Sequence, residues 1–267
     1  MITLRVEKLI ERDKMNKILL SILSFVFSSA ALSEPYDISD SLIKKAHERS
    51  SYFTEDSFFN TGISFEDFIK KADKTKPTVL HSHGCSGVTK DEFTLKKFYT
   101  NLGFNFVILD FIKRGNTGVC QHLVSGNSNY KEDSKKYSDD LKYRLPARLM
   151  ELEHHIKTLK ENSFTKIYAT GHSEGGMVVQ LLQADIDGVI IHSMTCSPAS
   201  TKFPNNVNNK YLHLISSNDP LLNKTPGRKF SCDDRSNYTT VIANTYSHDA
   251  LSDPSWESKI KVFVGVQ

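Results

Sequence analysis

The sequence has no marked excess of either charge, no apolar run long enough to span a bilayer, few glycines and prolines, and only four cysteines. Each shortage excludes something. Thirty-four Lys and Arg against 31 Asp and Glu leave a formal charge of +3, so there is no electrostatic footprint for nucleic acid or for an anionic membrane surface. Thirteen glycines and eight prolines in 267 residues rule out a collagenous or low-complexity chain. Cys85, Cys120, Cys196 and Cys232 include no C-x-x-C pair, so no tetrahedral zinc spacing is present. What remains is 39% hydrophobic and 24% charged, a globular mix whose length admits one large domain or two small ones.

One apolar stretch without a charge, Ile18 to Leu32, has fifteen residues, against the roughly 20 that a spanning helix needs. It follows Met15-Asn16-Lys17 and ends in Ala31-Leu32-Ser33 before Glu34-Pro35. A basic start, an apolar middle and small residues at the −3 and −1 positions describe a secretory signal cut after Ser33. Residues 1–14 carry four basic and three acidic side chains, which is foreign to a signal. Translation is therefore expected to start at Met15, with residues 1–33 as upstream extension plus signal and 34–267 as the folded domain. The mature chain then holds 29 basic and 28 acidic groups. In an oxidising compartment its four cysteines default to disulfides, with three connectivities open. No stable membrane anchor is expected after cleavage, and the location is periplasmic or secreted.

Short apolar, β-branched or aromatic runs at Thr78–His81, Asn105–Phe111, Lys166–Thr170, Gly188–His192, Tyr211–Ile215 and Tyr238–Ala243 predict buried strands. Between them, helices are predicted over Asp91–Leu102, Asp139–Glu161, Glu174–Ala184 and Trp256–Val264. The second carries Leu149, Leu152, Ile156 and Leu159 at helical spacing, with Pro146 at a first-turn or kink position. Gly115–Asp140 is polar and reads as loop. Tyr52, Phe53, Phe58 and Phe59 read as packing residues, and His154-His155 as a solvated pair. Strand and helix alternating in this way predict a single α/β domain with a mostly parallel sheet covered on both faces.

Gly171-His172-Ser173-Glu174-Gly175-Gly176 is a G-x-S-x-G motif with a strand running in and an apolar helix running out. A strand that turns directly into a helix leaves no room for neighbouring Cβ atoms and lifts the serine hydroxyl clear of the sheet. A nucleophilic serine needs a base and an acid to orient it. Asp219 follows the strand ending at Ile215, and His248 follows the next strand as the only histidine C-terminal to Asp219. The order Ser173, Asp219, His248 is that of an α/β-hydrolase triad. The loop His83-Gly84-Cys85-Ser86-Gly87 after the first strand suits an oxyanion hole made by the backbone N–H groups of Cys85 and Glu174. Two readings compete with a serine hydrolase: a metal-dependent hydrolase using His81 and His83, and a non-catalytic α/β-hydrolase-like protein that binds a ligand or partner.

Together LHSHGCSG (80–87), DFIKRGNTGVC (110–120), GHSEGG, SMTCSP around Cys196, SSNDPL with Asp219, Cys232, and YSH around His248 resemble the dienelactone hydrolase family, in particular its exported branch. The resemblance runs from about Pro77 to His248. It implies an α/β-hydrolase fold and hydrolysis of an ester or lactone through an acyl-enzyme, with no cofactor. Members acting on dienelactone use a cysteine nucleophile, whereas this elbow carries Ser173, so a carboxylic ester is the expected substrate. In that fold the strands before Cys85 and Cys120 are neighbours, as are the strand before Cys196 and the segment leading to Cys232. The pairs Cys85–Cys120 and Cys196–Cys232 are expected, the pairing that similar exported proteins also suggest. Arg114 is a candidate contact for an anionic part of the substrate. Sequencing the N-terminus of the unprocessed precursor checks the start site: Met15 is expected, and a peptide containing Leu4-Arg5-Val6 contradicts it.

Overall fold

Runs of five or six residues that are apolar on both sides can be satisfied only in the middle of a sheet covered by helices on both faces. The computed structural model has that arrangement, and it describes residues 58–59, 65–109, 130–196, 206, 208–220, 222, 232 and 235–266. The strands are β1 (Phe58–Phe59), β2 (Thr78–Ser82), β3 (Asn105–Leu109), β4 (Ile167–His172), β5 (Gly188–His192), β6 (Tyr211–Ser216) and β7 (Tyr238–Ala243). They form one sheet in the order β1-β3-β2-β4-β5-β6-β7. Among the described residues only the β1–β3 pair is antiparallel; every other pair is parallel.

The helices are α1 (Phe65–Lys71), α2 (Lys90–Asn101), α3 (Tyr130–Glu161), α4 (Glu174–Gln180) and α5 (Pro254–Val264). Alternation of side chains along each strand divides the core in two. On one face Leu80, Val107, Ala169, Val189 and Ile191 pack with residues of α1, α3 and α4, such as Phe68, Leu152, Ile156 and Val178. On the other, Val79, Phe106, Ile108, Ile190 and Leu212 pack with Leu95 and Tyr99 of α2 and with Trp256 and Ile260 of α5. β2 to β6 are buried along their lengths apart from Asn105, whereas β7, at the sheet edge, is half open.

The helix starts follow local chemistry. Thr89 and Glu92 form a reciprocal capping box at α2, and Asp253 caps α5 with Pro254 in its first turn. Three expectations are corrected. The long helix begins at Tyr130, not Asp139, so residues 130–138, read as loop, are helical, and of the two positions open to Pro146 the first turn is excluded and the interior one holds. α4 stops at Gln180 rather than Ala184, because Leu181 and Leu182 close it with tighter i→i−3 bonds to Val178 and Val179. His155 is buried against Phe65, ring centroids 4.2 Å apart, and is not half of a solvated pair.

Cys196, after β5, and Cys232, before β7, are bonded with Cα atoms 5.6 Å apart, as expected. Cys85 is also in a disulfide; its expected partner Cys120 lies outside the described residues, as do the signal segment, Tyr52, Phe53 and Arg114. No helix among the described residues is long and apolar enough to cross a membrane. The Cys196–Cys232 bridge closes a loop with a sequence separation of 36 residues, which restricts the unfolded chain by about 3–4 kcal/mol. Replacing both cysteines by alanine is expected to lower unfolding free energy in urea by about that amount; an unchanged midpoint contradicts it.

Candidate active site

The strand order reverses direction between β2 and its two neighbours: the chain steps from β2 out to β3 and returns on the other side as β4. In an open parallel sheet such a switch point leaves a crevice at the carboxyl ends of the strands. Ser82 pairs with Gly171 at that end. The segments beyond them are His83–Gly87 and the elbow around Ser173.

Ser173 has φ 52° and ψ −117°, a positive-φ conformation for a non-glycine residue held at the start of α4. Two glycines make it possible. A Cβ on Gly175 would fall 1.8 Å from the Ser82 carbonyl oxygen and 2.6 Å from that of His83. One on Gly171 would fall 2.1 Å from the Gly175 carbonyl oxygen. The loop after β2 is thus pressed backbone to backbone against the elbow. Gly84 lies across the serine as well, since a Cβ there would sit 3.5 Å from Ser173 Cβ. Cys85 N–H and Glu174 N–H therefore belong to two segments that meet at the serine.

Asp219 and His248 are brought together from loops after β6 and β7. His248 Nδ1–H donates to Asp219 Oδ2 at 2.6 Å, and Leu222 N–H donates to Asp219 Oδ1 at 3.2 Å. Asp219 is fully buried and His248 keeps a sixth of its side chain open. With Nδ1 carrying the proton, Nε2 is the basic nitrogen, and it has no hydrogen-bond partner among the described residues.

The loop bearing His248 is tied down from three strands. His172 Nε2–H, at the end of β4, donates to the His248 carbonyl at 2.7 Å. Ser193 Oγ, just after β5, donates to the Asp249 carbonyl at 3.3 Å. Ser216 Oγ, ending β6, donates to the Thr245 carbonyl. His172, the residue before the serine, also lies ring to ring with His248 at 5.2 Å, which ties the elbow to the base.

Beneath the site lie buried charges that sequence reasoning missed. Glu92 Oε1 faces His81 Nε2 at 3.8 Å and His172 Nδ1 at 3.7 Å, beyond hydrogen-bond length but within strong charge interaction. Burial disfavours charge on each of the three, yet the two imidazoles hold the Glu92 carboxyl well below the usual range. Burial pushes His81 down, while the Glu92 carboxylate outweighs burial at His172 and raises it. Arg148, from α3, is fully buried and pairs with Glu174 at 2.7 Å. Its signal in the sequence is positional: it stands three residues after Leu145 and four before Leu152, on the buried stripe of α3.

His81 and His83 are both buried. His81 stacks on Phe106, and His83 Nδ1–H donates to the Gly84 carbonyl at 2.6 Å. Among the described residues no group of three or more His, Cys, Asp or Glu is disposed to hold a metal ion.

Parallel β2 to β7 in this order, with a strand–serine–helix elbow at the switch point, make this an α/β-hydrolase fold. No protein-family model and no curated protein matches the sequence. Solved structures similar to it include Est1E from Butyrivibrio proteoclasticus, 14% identical, covering 73% of this chain and 90% of that one with a TM-score of 0.49. The esterase Pf2001 from Pyrococcus furiosus is 15% identical over 72% and 84%, TM-score 0.47. A dienelactone hydrolase-like protein from Klebsiella pneumoniae is 13% identical over 73% and 89%, TM-score 0.47. These likenesses concern the arrangement of strands and helices alone.

The buried histidines set the acid limit of the fold. Burial pushes His83 and His192 down to about 3 and His155 to about 4, and His81 shifts the same way. Below about pH 6.5 the unfolded chain protonates these groups and the folded chain does not, so stability falls with falling pH. Each contributes up to about 1.4 kcal/mol per pH unit until its own folded value is reached. His172, raised by Glu92, works in the opposite sense, since its contribution is complete below about pH 6.5 and is lost as pH rises through its folded value. His172 therefore adds little slope below about pH 6.5, and the four lowered histidines set the trend: the melting temperature is expected to drop steadily from about pH 6.5 to about 4.5. A flat or rising profile over that range contradicts the assignment. The loss on the alkaline side should disappear in His172→Asn.

At the carboxyl edge of an α/β-hydrolase sheet, this chain therefore sets a strained serine directly after His172, whose ring lies against the aspartate-bound His248.

Proposed function

We propose that this chain is an exported serine hydrolase that cleaves carboxylic esters, lactones included, through an acyl-enzyme. The observation that carries the reading is the 2.6 Å Asp219–His248 hydrogen bond, which leaves His248 Nε2 unpartnered in a loop tethered to the residue before Ser173. Ser173 Oγ attacks the ester carbonyl carbon while His248 Nε2 takes its proton. The carbonyl oxygen becomes an oxyanion, received by the N–H groups of Cys85 and Glu174. Collapse expels the alkoxide, which leaves as alcohol with the proton from His248. Water then enters, gives a proton to His248 and attacks the acyl carbon. Ser173 leaves with that proton, and the carboxylic acid is released. Asp219 holds the imidazole tautomer and stabilises its charged form throughout.

Dienelactone itself is not the proposed substrate, because the elbow holds a serine. Arg114 is proposed to meet an anionic part of the substrate where one is present. Export is supported by the Ile18–Leu32 run and by a disulfide that cytosolic thiols would reduce.

The experiment is turnover of an ester, lactone and peptide panel by the mature protein. Short acyl esters are expected to be cleaved. Ser173→Ala should lose at least about a thousandfold in kcat/KM, and Asp219→Asn on the order of a hundredfold or more, both with the melting temperature retained. Undiminished turnover in Ser173→Ala overturns the reading.

A further inference from the structure

We propose that Arg148 is a positioning residue that holds the two halves of the oxyanion hole in register. The inference rests on the serine hydrolase reading and adds a part to it. The two N–H donors come from separate segments, Cys85 from the loop after β2 and Glu174 from the first position of α4. They stabilise one oxygen only if both lie about 2.7–3.1 Å from where it forms. Pairing of β2 with β4 sets Ser82 level with Gly171, and the backbone contact between Gly175 and Ser82–His83 brings the segments beyond them together, but neither is a directional bond from the loop to the first turn of α4.

Arg148 supplies such a bond. Its Nη1 donates to Glu174 Oε1 at 2.7 Å. Its Nη2 donates to Ser82 Oγ at 2.9 Å and to the His83 carbonyl. One rigid planar group thus bonds both segments, with the elbow on one nitrogen and the oxyanion loop on the other. Arg148 and Glu174 are both buried, with side-chain exposures of 0% and 1%. A buried ion pair is commonly no more stabilising than an apolar pair of the same volume, so fold stability alone does not account for it. The fixed fork does, because a lysine would offer a single rotatable point charge and could not span the two segments in the same way.

Two variants separate positioning from folding. Arg148→Lys keeps the charge and loses the fork. Arg148→Met combined with Glu174→Gln removes the buried charges together, so that neither is stranded. Each is expected to lower kcat roughly 10- to 100-fold with KM within about threefold of wild type, as displacement of an oxyanion donor does. An alkylboronic acid provides a second readout. Its boron accepts a bond from Ser173 Oγ, the hydroxyl proton passes to His248, and the resulting tetrahedral anion occupies the oxyanion site. Its inhibition constant should rise by the same factor as kcat/KM falls. Backbone amides in Ser82–Ser86 and Ser173–Met177 should exchange faster in Arg148→Lys.

A folded variant that keeps kcat within about threefold of wild type, or binds the boronic acid unchanged, overturns the proposal. So does unaltered amide protection in both segments. Wild-type protein that neither cleaves esters nor binds the boronic acid would instead sink the serine hydrolase reading. The exchange data would still show whether Arg148 clamps the two segments.

Discussion

The structure turns on one close approach: Gly175, at the start of α4, lies against the carbonyl oxygens of Ser82 and His83 at a distance that admits no Cβ. Parallel pairing of β2 with β4 brings the ends of both strands to the same level, and the glycines let the following segments close over them. That closure forces Ser173 into a positive φ, where the bulk of the fold must hold it. A residue in that conformation costs about 1–3 kcal/mol. The surrounding sheet bears this cost because β2, β4 and β5 are buried along their whole lengths.

Polar groups buried at the same edge then fix what the closure leaves free. His172, Ser193 and Ser216 stand at the ends of β4, β5 and β6, and each donates to a carbonyl of the segment Thr245–Asp249. Three successive strands therefore set the position of His248, while Asp219 sets its tautomer. Around the elbow, the buried Glu92 carboxyl faces His172 Nδ1 at 3.7 Å, and Arg148 and Glu174 form a buried ion pair. Such groups are expensive to bury unless paired. Their concentration around one serine, rather than through the core at large, is what distinguishes this edge of the sheet.

Much of this was legible in the sequence, for physical reasons that can be named. Buried parallel strands read as short continuous apolar runs, so all six parallel strands were recognisable: Gly188–His192 and Tyr238–Ala243 with the ends expected, three with ends shifted by one or two residues, and one whose expected end lies outside the described residues. The two-residue β1 carries too little pattern to be seen. The elbow was legible because its glycines are sterically required, and Asp219 and His248 because chain order and strand ends restrict where a triad acid and base can lie. Residues 130–138 were not, because a helical stretch of Lys, Glu, Asp and Ser has the composition of a loop. His155 was misjudged because its neighbour His154 is exposed and the two look alike in sequence. Arg148 and Glu92 escaped notice because they act through tertiary contacts, although Arg148 sits on an apolar stripe where a charge needs a partner.

The central claim is that Ser173 is an activated nucleophile, and labelling with a fluorophosphonate followed by peptide mass mapping tests it most directly. The serine oxygen displaces fluoride at phosphorus, so the account predicts one stoichiometric adduct, on the peptide containing Gly171-His172-Ser173-Glu174, and none in His248→Ala. Intact protein left unlabelled by excess probe, or an adduct confined to another residue, would contradict it.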